Sequence, residues 1–115
     1  MQFMLLIHGD EAFIPDTEGT GPINPEFGAY TEAMKKAGVW LSGDRLKTTK
    51  HGARVRVRDG KSVVLDGPFV DVKEQLGGYY VIDVPTIDEA IEWAVRSPAA
   101  KFATVDVRPL AEVPR

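Results

Sequence analysis

Tyr79-Tyr80-Val81-Ile82-Asp83-Val84-Pro85-Thr86-Ile87-Asp88-Glu89-Ala90-Ile91-Glu92-Trp93-Ala94-Val95 changes its period midway, and that change decides the fold. Residues 79–84 are aromatic and β-branched, the composition of a strand. Thr86 and Glu89 then form a capping box, placing a hydroxyl and a carboxylate where a helix has spare N–H groups. Ile87, Ala90, Ile91, Ala94 and Val95 follow at helical spacing as an apolar face. Ser97-Pro98 ends or kinks the helix. In residues 102–108, Thr104 and Asp106 alternate with Ala103, Val105 and Val107 as a closing strand. This is a β-α-β arm.

Upstream, the chain reads as a second such arm. Residues 2–8 are a short apolar run that suits a central strand covered on both faces. Pro15, Gly19, Gly21 and Pro22 then break any period, so a long loop follows. Asn24-Pro25 starts a helix, with Phe27, Tyr30, Met34 and Ala37 as its apolar stripe and Gly38 as its stop. Residues 39–46 form another strand, in which Gly43 marks a bulge.

Between the arms, Val55 and Val57 alternate with Arg54, Arg56 and Arg58, and Asp59-Gly60 is a strong two-residue hairpin signal. That turn pairs Arg58 with Lys61, Arg56 with Val63, Val55 with Val64, Arg54 with Leu65 and Ala53 with Asp66. Asp66 thereby shares the apolar face of Val55 and Val64. Gly67-Pro68 breaks the return strand, and Gly77-Gly78 leads into the strand at 79–84. The order predicts an α+β fold: a ferredoxin-like sheet with an inserted β-hairpin, as one domain over residues 1–115.

Composition narrows the function. The chain has 115 residues, enough for one core without staples. Fourteen Lys and Arg against 17 Asp and Glu give a net charge of -3, so no positive field attracts nucleic acid or an anionic membrane. Without cysteine there is no disulfide, thiolate nucleophile or cysteine metal site, which matches a reducing compartment. Residues 1–7 are apolar but lack a basic start, so they belong to the mature fold rather than to a signal peptide. No apolar run approaches the ~20 residues that span a bilayer. The expected compartment is the cytoplasm. His8 and His51 lack ligand spacing, so no metal is expected, and no phosphate-binding glycine loop or other cofactor motif is present.

Asp66-Gly67-Pro68-Phe69, followed by Lys73-Glu74-Gln75-Leu76-Gly77-Gly78-Tyr79-Tyr80-Val81-Ile82, resembles the signature of the DGPF-type branch of the YCII-related proteins. Met4-Leu5-Leu6-Ile7 with Gly9-Asp10-Glu11, Ala37-Gly38-Val39, Ala90-Ile91-Glu92-Trp93-Ala94 and Val107-Arg108-Pro109-Leu110 extend the resemblance over almost the whole chain. It implies a dimeric α+β barrel, two ferredoxin-like sheets enclosing a cavity as a homodimer. Some relatives are proposed to use a His and Asp pair for acid–base work on small aromatic or lactone-like substrates, with the His in the first helix. Registered on Gly38, Phe27 stands where that His would be, so no dyad is carried over. The resemblance also implies an association with extracytoplasmic-function sigma factors.

The residues themselves offer His8, Asp10 and Asp66 as a constellation, since a His near carboxylates can move protons near neutral pH. The competing reading has His8 finish a strand with its hydrogen bonds satisfied and Asp10 solvated. Asp66, on an apolar face, needs donors. Either its own loop supplies them, making the motif a folding device, or it serves a pocket. Lys73 and Glu74 would bind and polarise a small anionic ligand, or stand as a solvated pair. Trp40, Trp93, Tyr79 and Tyr80 form an aromatic cage for a ligand, or core and interface. The expected function is a small-molecule pocket protein of unassigned reaction, with proton transfer by His8 and Asp66 of isomerase, lyase or hydrolase type. Its rivals are a sigma-factor-associated ligand-sensing module without catalysis, and a purely structural dimer.

Overall fold

The computed structural model describes residues 1–11 and 25–112. Strand β1 (Gln2–Asp10) is followed by helix α1 (Pro25–Lys36), β2 (Trp40–Arg45), β3 (Ala53–Arg58), β4 (Lys61–Asp66), β5 (Glu74–Asp83), α2 (Ile87–Arg96) and β6 (Thr104–Pro109). Short 3-10 turns lie at Thr49–His51 and Pro98–Lys101. The expected loop after β1 and its Asn24 cap fall largely outside the described residues. β2, β5, β1 and β6 form one antiparallel sheet in that order, while β3 and β4 pair separately. The fold is α+β, with two β-α-β arms in ferredoxin-like order and an inserted hairpin.

Both helices pack on one face of the large sheet. Phe3, Leu5, Tyr30, Met34, Ile82, Val84, Ala90 and Ala94 make the core between them. Phe3 and Leu5 are fully buried, and truncating either to Ala costs about 2–5 kcal/mol. Tyr30 meets Tyr80 and Trp93 edge to face, and its hydroxyl donates to the Trp93 carbonyl at 2.6 Å. Burial raises the Tyr30 phenol well above its ordinary range, with the charge of Tyr80 adding to the effect.

The hairpin has the register its sequence predicts, from Arg58 opposite Lys61 to Ala53 opposite Asp66. Asp59 and Gly60 both take positive φ, 52° and 75°, as a two-residue turn of this kind requires. Gly38 also has positive φ, 75°, and ends α1 as expected. The Thr86 hydroxyl accepts from the Glu89 N–H, and Ser97 ends α2 rather than kinking it.

Four expectations need correction. β1 is central, but among the described residues the helices cover one of its faces only: Phe3 and Leu5 are buried, whereas Met4 and Leu6 remain partly exposed. The bulge in β2 falls at Leu41, not Gly43. Gly43 instead makes room, because a Cβ there would lie 2.7 Å from the Tyr80 ring and 2.9 Å from the Trp40 ring. β5 begins at Glu74 and runs through the glycine pair: Ile7 pairs with Gly78 and His8 with Leu76, leaving Gly77 as the extra residue of a bulge. On α2 only Ala90 and Ala94 of the expected stripe are buried, while Ile87, Ile91 and Val95 face outward.

Candidate functional site

Among the described residues, no helix covers the sheet face away from α1 and α2, and Met4, Leu6, His8, Tyr79 and Val81 on it are partly exposed. Strand alternation decides which side chains it carries. From β1 these are Met4, Leu6 and His8; cross-strand pairing sets Val81, Tyr79 and Leu76 of β5 beside them. On the other flank stand Arg108, Asp106 and Thr104 of β6, and beyond β5 come Ser42 and Asp44 of β2. An apolar strip is therefore bordered by ionisable groups.

Two pairs organise that border. His8 Nε2 lies 3.3 Å from Asp106 Oδ2, a diagonal contact between neighbouring strands. The His8 side chain is 29% exposed and that of Asp106 54%, so the pair is reachable from solvent. On the opposite flank the Tyr79 hydroxyl donates to Asp44 Oδ2 at 3.1 Å. That hydrogen bond to a carboxylate, and the carboxylate's charge, hold the Tyr79 phenol above its ordinary range. Asp44, Tyr79, Leu6 and Asp106 form one transverse row, and His8 reaches Asp106 from the neighbouring row.

The residues singled out from sequence are distributed unevenly. His8 is on the open face. Asp66 ends β4 in the other sheet, exposed, and the carboxylate within reach of His8 is that of Asp106. Asp10 and Glu74 are register partners at the far end of β1 and β5, and Lys73 is exposed in the turn before β5. Of the four aromatics, Tyr79 alone is on this face; Tyr80, Trp40 and Trp93 pack on the core side. Phe27 is on α1 with its ring edge-on to Phe102, on the opposite side of the sheet. Asp106 carried a legible signal, the polar alternation of the last strand, but its pairing with His8 needs the order of strands in the sheet.

The 66–69 loop is built as an anchor. Gly67 N–H donates to the Gly52 carbonyl at 2.9 Å, and Phe69 N–H to the Thr49 hydroxyl at 3.1 Å. Thr49 in turn donates both its N–H, at 2.7 Å, and its hydroxyl, at 2.6 Å, to the Glu11 carboxylate. Gln75 Nε2 donates to the carbonyls of Phe69 and Val72. Arg54 lies over the Phe69 ring, 4.4 Å from its centroid, and donates to both Asp71 oxygens. The Arg54 hydrogen bond holds the Asp71 carboxyl below the usual carboxylate range. Glu11 and Thr49 had no distinguishing spacing in sequence, and they tie the hairpin base to the end of β1.

Two hollows among the described residues are not lined by His8. One of about 410 Å³, lined by Met1, Gln2, Asp83 and Leu110, lies at the start of β1, roughly 20 Å along the strand from His8 at about 3.3 Å per residue. Another of about 320 Å³, lined by Leu46, Lys47, Thr48, Thr49, His51 and Leu76, adjoins the open face through Leu76. Among the described residues, no helix is long and apolar enough to cross a membrane.

Comparison with known proteins agrees with this architecture. Over 84 residues the chain is 42% identical to the uncharacterized protein R00369 of Rhizobium meliloti (strain 1021), an alignment covering 71% of this chain and 64% of that protein. The chain thus spans less than two thirds of that relative's length. The model of the YCII-related domain matches residues 1–114, nearly everything the two β-α-β arms and their hairpin comprise. On that match, the chain belongs to the YCII-related domain family.

Proposed function

We propose that this chain is a small-molecule-binding protein whose site is the open sheet face, with His8 as its proton-transfer group. The observation that carries the reading is the 3.3 Å contact between His8 Nε2 and Asp106 Oδ2 on the sheet face that neither described helix covers. A neutral imidazole donating from Nε2 to Asp106 keeps the Nδ1 lone pair for a substrate proton. The carboxylate fixes the ring and stabilises the imidazolium that forms. Tyr79, held by Asp44, supplies a hydroxyl across the apolar strip, and Leu6 and Met4 offer a floor to a flat aromatic or lactone-like ring.

In this reading a second copy of the chain covers the face and excludes water, which strengthens each of these interactions. The Asp66-Gly67-Pro68-Phe69 stretch supports placement in the DGPF-type branch, and its bonding pattern supports a folding role for the motif. A ligand-sensing accessory role is the second reading. It is favoured by Ile87, Ile91 and Val95, which form an exposed stripe on α2, on the helix side of the sheet.

A thermal-shift screen of small aromatic acids and lactones tests the first reading, because a ligand that prefers the native state raises its apparent stability. The expected result is a hit that is abolished by His8→Gln and turned over by the wild type. Hits that survive both His8→Gln and Asp106→Asn, with no turnover, would overturn the catalytic role.

A further inference from the structure

Among the described residues, β3 and β4 pair only with each other. A strand at the edge of a sheet presents unpaired N–H and C=O groups to any extended chain that reaches it. Which groups point outward follows from the turn. Arg58 and Lys61 flank a two-residue turn and so exchange both ladder bonds, as do Arg56 with Val63 and Arg54 with Leu65. Val55 and Val57, which alternate with them, therefore aim their N–H and C=O away from β4, along the outer edge of β3. No backbone group of another described element bonds to either residue.

The two faces of this ribbon differ in chemistry. Arg54, Arg56 and Arg58 share one face with Lys61, Val63 and Leu65, whereas Val55 and Val57 share the other with Ser62 and Val64. Arginines at every second residue stand about 6.7 Å apart on a strand that rises about 3.3 Å per residue. Asp71 shows the contact this face makes with a carboxylate: Arg54 Nη1 donates to its two oxygens at 3.1 and 3.0 Å. Arg56, Arg58 and Lys61 form no ion pair among the described residues.

These features select an occupant. An extended peptide with a carboxylate at every second position repeats at the spacing of the arginines, and opposed side chains on paired strands stand about 4.5–5.5 Å apart. Its intervening residues fall beside Val55 and Val57, which are 60% and 64% exposed, so they are apolar. A second copy's β3 fits badly, because pairing about a two-fold axis sets arginine opposite arginine. A nucleic-acid strand brings phosphates but no strand-forming backbone and no apolar side chains for the valine face, and the net charge of -3 opposes its approach.

We propose that the outer edge of β3 binds an extended acidic peptide as a third strand of the ribbon, its carboxylates alternating with apolar residues. The backbone groups of Val55 and Val57 hold the peptide, and Arg56 and Arg58 select its carboxylates. The site uses neither His8 nor Asp106, so it stands apart from the reading above.

The probe is a fluorescein-labelled hexapeptide that alternates aspartate and valine, titrated with the full chain and read by fluorescence anisotropy. Its isomer, three aspartates followed by three valines, has the same charge, and a labelled oligothymidylate supplies phosphates. The alternating peptide is expected to bind at least about tenfold more tightly than either, by a margin over no binding that shrinks as salt is raised. Arg56→Glu/Arg58→Glu, at two exposed positions, is expected to weaken it at least about tenfold. Val57→Pro deletes an outward N–H without removing a ladder bond, and is expected to weaken the alternating peptide while leaving the isomer unchanged, with circular dichroism confirming the fold. An isomer bound equally well overturns strand addition, and an oligothymidylate bound more tightly overturns the choice of partner. Binding unchanged by Arg56→Glu/Arg58→Glu, or absent for every probe, overturns the site and leaves the arginines as guards against edge-to-edge aggregation.

Discussion

Replacing Gly67 with Ala should destabilise the protein far more than one exposed methyl group normally does. The backbone at Gly67 runs so close to the 49–51 turn that a Cβ would sit 1.5 Å from the Thr49 carbonyl oxygen. Ordinary van der Waals contact begins near 3.4 Å, so one segment must retreat by about 2 Å. That retreat breaks the Gly67 N–H bond to Gly52 and the Phe69 N–H bond to Thr49. Each is worth about 0.5–1.5 kcal/mol net, and loss of the Thr49 position also loosens two bonds to the Glu11 carboxylate, of the charged class worth about 1.5–3 kcal/mol. Allowing for partial recovery by water, the expected loss is about 2–4 kcal/mol, a large share of the 5–15 kcal/mol typical of a domain. Urea unfolding followed by circular dichroism would measure it. Gly52→Ala is the matched control, since its Cβ would meet Thr49 at an ordinary 3.6 Å. A loss below about 1 kcal/mol for Gly67→Ala would refute the anchor, because a typical surface substitution stays within about 0.5 kcal/mol.

Two further outcomes follow from the same geometry. All three tyrosines have phenols held above their ordinary range, Tyr30 and Tyr80 chiefly by burial and Tyr79 by Asp44. Absorbance titration should therefore show no phenolate step near pH 10 until the protein unfolds. For Tyr30 the sign is that of a raised pKa: its contribution is complete below the unfolded value of about 10 and falls by about 1.4 kcal/mol per pH unit above it. Tyr30→Phe should flatten that decline, and an unaltered slope counts against it. Thr49→Val keeps the shape but deletes the hydroxyl that donates to Glu11 and accepts from Phe69. Its expected cost is about 1–3 kcal/mol by urea unfolding, and Glu11→Gln should add little in that background because the two act through one network.

The hairpin was legible to the residue because a two-residue Asp59-Gly60 turn leaves no freedom in register. The start of α2 was equally legible, since Thr86 and Glu89 are a local signal for orphan N–H groups. What sequence could not carry is non-local. Gly43 looks like a bulge marker, but its role is set by two rings, one from its own strand and one across the sheet. Gly77 and Gly78 read as a break, although a strand can absorb one extra residue and continue. Asp66 drew attention as a carboxylate on an apolar face, and that face proves to be exposed in the single chain, so its burial cost never arises. The partner of His8 is Asp106, nearly a hundred positions away, and only the strand order brings the two together.

In the proposed function, a second copy covers the open sheet face. Solvent relaxation by a soluble gadolinium chelate, read on ¹³C-labelled methyl groups, reports that coverage. Val70, 89% exposed, and Leu5, fully buried, set the two ends of the scale. With the face covered, the methyl groups of Met4, Leu6 and Val81 are expected to be protected like those of Leu5. If they relax in proportion to their partial exposure in the single chain, the face is open to water and the site as described does not exist.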